Sequence, residues 1–76
     1  MEIDITIYTL PNCVQCDVTK RKLKEHNVPY KEVDLSTDEE ASNMVKELGY
    51  TSAPVVVVDG RHWSGFKLEK IKELIR

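Results

Sequence analysis

Long hydrophobic runs are absent: no apolar stretch approaches the roughly 20 residues that a membrane span needs. Charge of one sign is lacking too. Eleven Lys and Arg face thirteen Asp and Glu, a formal net charge of -2, so the chain carries no electrostatic footprint for nucleic acid or an anionic membrane surface. The same-sign clusters at Lys20–Lys22 and Asp38–Glu40 are too short to act as tails and read as solvated faces. With three Gly, three Pro, two His and two Cys, there is no repeat, linker or low-complexity segment. Seventy-six residues set the expectation of one domain, 1–76, burying only about 60% of the surface its unfolded form exposes. Such a chain has no room for a cofactor domain beside a catalytic one, so any chemistry must rest on a few side chains, with electrons or energy supplied by a partner. The start, Met1-Glu2-Ile3-Asp4, has acids where a secretory signal wants basic and apolar residues. The expected compartment is therefore the cytoplasm, where a permanent disulfide is disfavoured.

What is present is ordered. Ile3, Ile5 and Ile7 alternate with polar residues and predict a strand over Ile3–Thr9. Leu10-Pro11-Asn12 ends it, and a helix is expected from about Cys13 to His26, capped by Asn12, with a thin apolar face of Val14, Val18 and Leu23. Tyr30–Asp34 reads as a short strand. Ser36 and Thr37, each followed three residues later by Glu39 or Glu40, form a capping-box pattern. Ala41, Met44, Val45 and Leu48 share one helical face, and Gly49 suits a left-handed C-terminal cap. Val55–Val58 reads as a buried strand, Asp59-Gly60 as a two-residue hairpin turn and Arg61–Ser64 as the returning strand. Leu68, Ile71 and Ile75 mark a final helix over Lys67–Ile75. The predicted order is βαβαββα, an α/β arrangement with one parallel strand pair and one hairpin.

Cys13-Val14-Gln15-Cys16 falls where the first strand gives way to the first helix. Helix geometry sets Cα atoms three residues apart about 5 Å from each other, inside the roughly 4.4–6.8 Å that a disulfide accepts. As a staple this bond would add only ~2 kcal/mol, because its ring is so short. It suits a bond that opens and closes. Unpaired N–H groups and the macrodipole at a helix start favour an anion, which makes Cys13 the expected nucleophile. Cys16, one turn further in, is the expected resolving thiol. No Lys or His adjoins Cys13 and Asp17 opposes a thiolate there, so the helix terminus must supply most of the activation.

Metal binding is the rival reading. C-x-x-C is half of a zinc site, but the only further histidines are His26 and His62, and a regular helix puts His26 about 15 Å from Cys16. No metal is expected, although a cluster shared across a dimer uses the same cysteines.

Over its whole length the chain resembles the thioredoxin/glutaredoxin fold: a four-stranded mixed sheet flanked by three helices, with the dithiol opening the first helix and Pro54 before the third strand. Tyr8-Thr9-Leu10-Pro11-Asn12-Cys13-Val14-Gln15-Cys16 and His62-Trp63-Ser64-Gly65-Phe66 are similar to the signatures of NrdH-redoxins. The resemblance implies a glutaredoxin-like redox domain with thioredoxin-like behaviour. Thioredoxin reductase, a flavoenzyme (FAD) using NADPH, would reduce it, and the large subunit of class Ib ribonucleotide reductase would receive its electrons for deoxyribonucleotide synthesis. No cofactor of its own is implied, and a monomer is expected. Pro54 would be cis, against the plainer reading of a strand-start proline. The implied partner-binding residues are Val14 and Gln15 within the motif, and Ser52, Ala53 and Pro54 before the third strand. Trp63, Gly65 and Phe66 complete the set, although Trp63 is equally readable as core. Two departures bear on partners. Leu10 stands where glutaredoxins and many NrdH-redoxins carry a Lys, which in glutaredoxins helps bind glutathione. Lys67-Leu68-Glu69 replaces the usual Arg-Pro-Asp, losing Arg's bidentate fork and a helix-starting Pro. A glutathione-dependent glutaredoxin is the alternative function.

Overall fold

A computed structural model describes residues 4–75. Its elements run β1 (Ile5–Thr9), α1 (Val14–Glu25), β2 (Lys31–Asp34), α2 (Glu39–Glu47), β3 (Val55–Val58), β4 (Arg61–Ser64) and α3 (Leu68–Leu74). The βαβαββα order is as expected; Ile3, the anticipated start of the first strand, lies outside the described residues. The sheet order is β2-β1-β3-β4. The crossover through α1 makes β1 and β2 parallel, with Thr6 opposite Lys31 and Thr9 opposite Asp34. β3 runs antiparallel to β1, Ile7 facing Val56, and the hairpin sets Val56 opposite Trp63. Asp59 and Gly60 both take positive φ, 46° and 87°, as a two-residue turn of this hand requires.

One face of the sheet carries the main core. Ile5, Ile7, Val56, Val58 and Trp63 pack with Leu23 of α1 and Ile71 of α3. Strand alternation turns Val55 and Val57 to the other face. Val45 of α2 is buried but stands outside that core, which assigns α2 to the second face.

The helices differ from expectation in phase. In α1 the buried positions are Cys16, Thr19 and Leu23, whereas Val14 is 74% exposed and Val18 half-buried. Thr19 is tolerated inside because its hydroxyl donates to the Gln15 carbonyl one turn back, at 2.8 Å. In α3, Leu68 points to solvent, and Ile71, Leu74 and Ile75 turn to the core. In α2, Val45 is buried while Leu48 is exposed.

The caps differ as well. Asn12 does not cap α1: it takes φ 59° in the preceding turn, and Cys13 is the N-cap. The capping box at Ser36 and Thr37 does not form either. Asp34 captures both residues first: Ser36 donates its amide and its hydroxyl to Asp34 Oδ1 at 2.8 and 2.6 Å, and the Thr37 hydroxyl donates to the Asp34 carbonyl. Asp38 then caps α2 by accepting from the Ala41 amide at 3.0 Å, as an ionised carboxylate does well at a helix start. Gly49 takes φ 97° and closes α2 as expected, with Tyr50 N–H returning to the Val45 carbonyl and Gly49 N–H to that of Lys46. Asn27 ends α1 in the same way, at φ 56°.

Glu32 ties the edge strand β2 to α1. Its Oε2 accepts from Lys20 Nζ at 2.9 Å and from the buried Thr9 hydroxyl at 3.0 Å. The Lys20 hydrogen bond, helped by Thr9, holds the Glu32 carboxyl below the usual glutamate range, and the Ser36 donors hold Asp34 low. A carboxyl whose folded pKa is depressed adds stability above its unfolded pKa and loses it as pH falls through the folded value. The urea midpoint is therefore expected to be level above about pH 5 and to fall below it. Glu32→Gln should flatten part of that slope. The pair is partly solvent-exposed, so its share is under about 1 kcal/mol. An acid limb unchanged in Glu32→Gln would refute this assignment.

Candidate active site

The site is assembled where β1 ends, and its centre is a sulfur acting as a helix cap. Cys13 has extended backbone angles (φ -111°, ψ 108°), which lets its side chain fold back over the first turn of α1. Its Sγ accepts from the Cys16 backbone N–H at 3.1 Å, and its carbonyl accepts the helical bond from Asp17 N–H at 3.1 Å. An N–H aimed at this sulfur, with the helix axis behind it, stabilises negative charge on Cys13 more than on a sulfur inside the helix. The two cysteines are joined by a disulfide with Cα atoms 5.2 Å apart, matching the expected spacing. They differ sharply in access: Cys16 is 1% exposed, whereas Cys13 is half-buried and borders solvent.

Two further segments flank the sulfurs. Cys13 Sγ lies 3.8 Å from the Ala53 carbonyl oxygen, and the Ala53–Pro54 bond is cis, as the resemblance implied. Gly65 N–H donates to the Pro54 carbonyl at 2.8 Å. The Ser64 hydroxyl donates to the Ser52 carbonyl at 3.2 Å and meets the Ser52 hydroxyl at 3.3 Å. Phe66 N–H donates to Gln15 Oε1 at 3.0 Å. Residues 13–16, 52–54 and 64–66 thus meet at one end of the sheet.

Most of the residues singled out in the sequence are brought together here, but they do not present themselves equally. Val14, Gln15 and Ser52 are exposed, and Ala53, Gly65 and Phe66 are half-buried. Pro54 is fully buried. Trp63 is a core residue, 5% exposed and packed with Val56 and Ile71, so its side chain offers a partner almost no surface. Its Nε1 has no hydrogen-bond acceptor among the described residues. Lys70 Nζ stands 6.0 Å from its ring centre. Leu10 is 41% and Val14 74% exposed, so two apolar side chains close to Cys13 in sequence are open to solvent.

Three features escaped the sequence reading. Gln15 belongs to the implied partner surface, but its bond to Phe66, 51 residues along, has no local signal. The Thr9–Glu32–Lys20 link spans β1, β2 and α1 and is equally non-local. His62 is engaged by Tyr50, whose hydroxyl lies 2.7 Å from Nδ1 with the rings edge to face. Among the described residues, no group of three or more His, Cys, Asp or Glu side chains is placed to hold a metal ion. No helix among them is long and apolar enough to cross a membrane.

Comparison with known proteins gives a consistent result. The sequence pattern of the family described as Glutaredoxin matches residues 5–63. The glutaredoxin-like protein NrdH of Lactococcus lactis is 33% identical over 70 residues, 92% of this chain and 97% of that protein. That of Salmonella typhimurium is 35% identical over 72 residues, 95% and 89% of the two chains. In structure, the glutaredoxin-like NrdH-redoxin of Escherichia coli, described as having a thioredoxin-like activity profile, superposes with a TM-score of 0.90. It is 34% identical, with 93% of each chain covered.

Proposed function

This chain belongs to the glutaredoxin family, and within it to the glutaredoxin-like NrdH proteins, thiol–disulfide oxidoreductases; on that premise we propose that it is a hydrogen donor re-reduced by thioredoxin reductase, with class Ib ribonucleotide reductase as the recipient. The observation that carries the reading is the division of labour in the dithiol. Cys13 caps the helix and faces solvent, whereas Cys16 is buried one turn behind it.

In the proposed cycle the Cys13 thiolate attacks one sulfur of a protein disulfide. A Cys13–substrate bond forms, and the other substrate sulfur leaves as a thiolate that takes up a proton. Cys16 loses its proton and attacks Cys13 Sγ, the substrate sulfur bonded there departs as a thiolate and takes up a proton, and the Cys13–Cys16 disulfide remains. Two electrons have passed to the substrate. The Cα separation of 5.2 Å supports this closing step, because little backbone movement is needed. NADPH, through the FAD of the reductase, returns two electrons to the pair. No resident metal or organic cofactor takes part in this scheme, and the protein acts as a cytoplasmic monomer made of one redox domain.

Leu10 supports thioredoxin reductase over glutathione, since it replaces a cation that would help hold glutathione's charge. The purified protein is expected to be reduced by NADPH with thioredoxin reductase and poorly by glutathione with its own reductase. Turnover with glutathione alone would defeat the proposal and favour a conventional glutaredoxin.

A further inference from the structure

Gln15 lies between the two cysteines, yet its side chain reaches neither of them. Its carbonyl oxygen accepts the backbone N–H of Phe66 at 3.0 Å, an assignment fixed by chemistry, because an amide N–H can donate only to the oxygen end of the group. Gly65 adds an independent sign of close fit. It sits at φ 86°, and a Cβ placed there would come within 3.2 Å of the same Gln15 oxygen. Segment 64–66 is therefore pressed against the first turn of α1, with a positive φ that favours glycine and an approach to Gln15 tighter than an ordinary Cβ contact.

The contacts form a ring. Phe66 N–H is held by Gln15, Gly65 N–H by the Pro54 carbonyl, and Ser64 by Ser52. Ala53 then faces Cys13 across 3.8 Å. Removing the Gln15 acceptor opens this ring where segment 64–66 meets α1 and leaves the Phe66 N–H without its partner. We infer that Gln15 is a positioning residue, acting through the Phe66 backbone to hold the 64–66 segment against the dithiol turn and so to keep one shape on the surface that a protein disulfide meets.

The inference rests on the disulfide-exchange reading for its kinetic consequence, but not for its structural one. Gln15→Ala removes the acceptor. Gln15→Glu keeps an oxygen for Phe66 N–H but loses the exposed amide donor that a partner could contact. Gln15 is at the surface, so both variants are expected to fold. In reduction of insulin with dithiothreitol as electron source, Gln15→Ala should raise KM about three- to tenfold, with the larger effect in KM than in kcat. Gln15→Glu should restore KM to within about twofold of the unsubstituted protein. The extra charge beside Cys13 is expected to register in kcat. Amide hydrogen exchange at Phe66 should be at least about tenfold faster in Gln15→Ala and near the parent rate in Gln15→Glu. Equal KM increases in the two variants would overturn the inference in favour of direct partner contact, and so would unchanged Phe66 exchange in Gln15→Ala. Failure of the parent protein to reduce insulin would defeat the disulfide-exchange reading instead, leaving the exchange measurement to judge the tether.

Discussion

Cys13→Ser is expected to lower insulin reduction by roughly three orders of magnitude or more, to the background of the reductant alone. A serine hydroxyl at neutral pH is a far weaker nucleophile than a thiolate and cannot form the mixed disulfide. Cys16→Ser should behave differently. Its Cys13 can still attack, but nothing behind it resolves the product, so a covalent adduct should accumulate one-to-one and be seen as a mass increase removed by dithiothreitol. The asymmetry follows from exposure: Cys13 borders solvent, whereas Cys16 is 1% exposed. Iodoacetamide should likewise label Cys13 first in the reduced protein. Substantial insulin reduction by Cys13→Ser, or an adduct on Cys16 in the parent protein, would reverse the assigned roles.

The second large effect concerns stability. Leu23 is fully buried, at 0% exposure, where α1 meets Ile71 and the strand residues of the core. Leu23→Ala removes three heavy atoms from a packed interior, and such truncations cost about 2–5 kcal/mol. A domain of this size has only roughly 4–11 kcal/mol in total, at about 0.05–0.15 kcal/mol per residue. The urea midpoint should therefore drop by about a fifth or more, and a detectable unfolded fraction should appear on warming. Val14→Ala, on the same helix but 74% exposed, should stay within about 0.5 kcal/mol of the parent. The sequence pattern treats Val14 and Leu23 as equivalent members of one apolar face; the structure does not. A Leu23→Ala midpoint close to that of Val14→Ala would show the core wrongly placed.

That contrast indicates what was legible in the residues. Strand positions were readable because period-two alternation and the Val55–Val58 run have few competing explanations, and Asp59-Gly60 leaves the chain little choice but a tight hairpin. The dithiol was readable because its spacing alone meets a covalent distance requirement. Helix phase in α1 was harder. Its inward stripe is Cys16, Thr19 and Leu23, only one of which is a conventional apolar residue, and Thr19 is admissible because its hydroxyl donates a hydrogen bond to the Gln15 backbone carbonyl. The α2 cap was misread because a local pattern competed with a nearby residue outside it: Asp34 binds Ser36 and leaves Asp38 to cap. Gln15 to Phe66 and Thr9 to Glu32 connect distant parts of the chain, and no local pattern encodes such pairs.

The position of β1 in the sheet has a consequence for biosynthesis. Among the described strands it is made before the others, yet one of its neighbours, β3, follows only after β2 and α2. Ile5 and Ile7 can gain Leu23 early but must wait for Val56 and Val58 to be translated, since among the described residues the β3–β4 hairpin is the only strand pair joined by a short turn. Contacts of such long sequence separation form slowly. A nascent or truncated chain that stops before Val55 would expose an apolar strand with an unpaired edge, a surface that invites aggregation or chaperone binding.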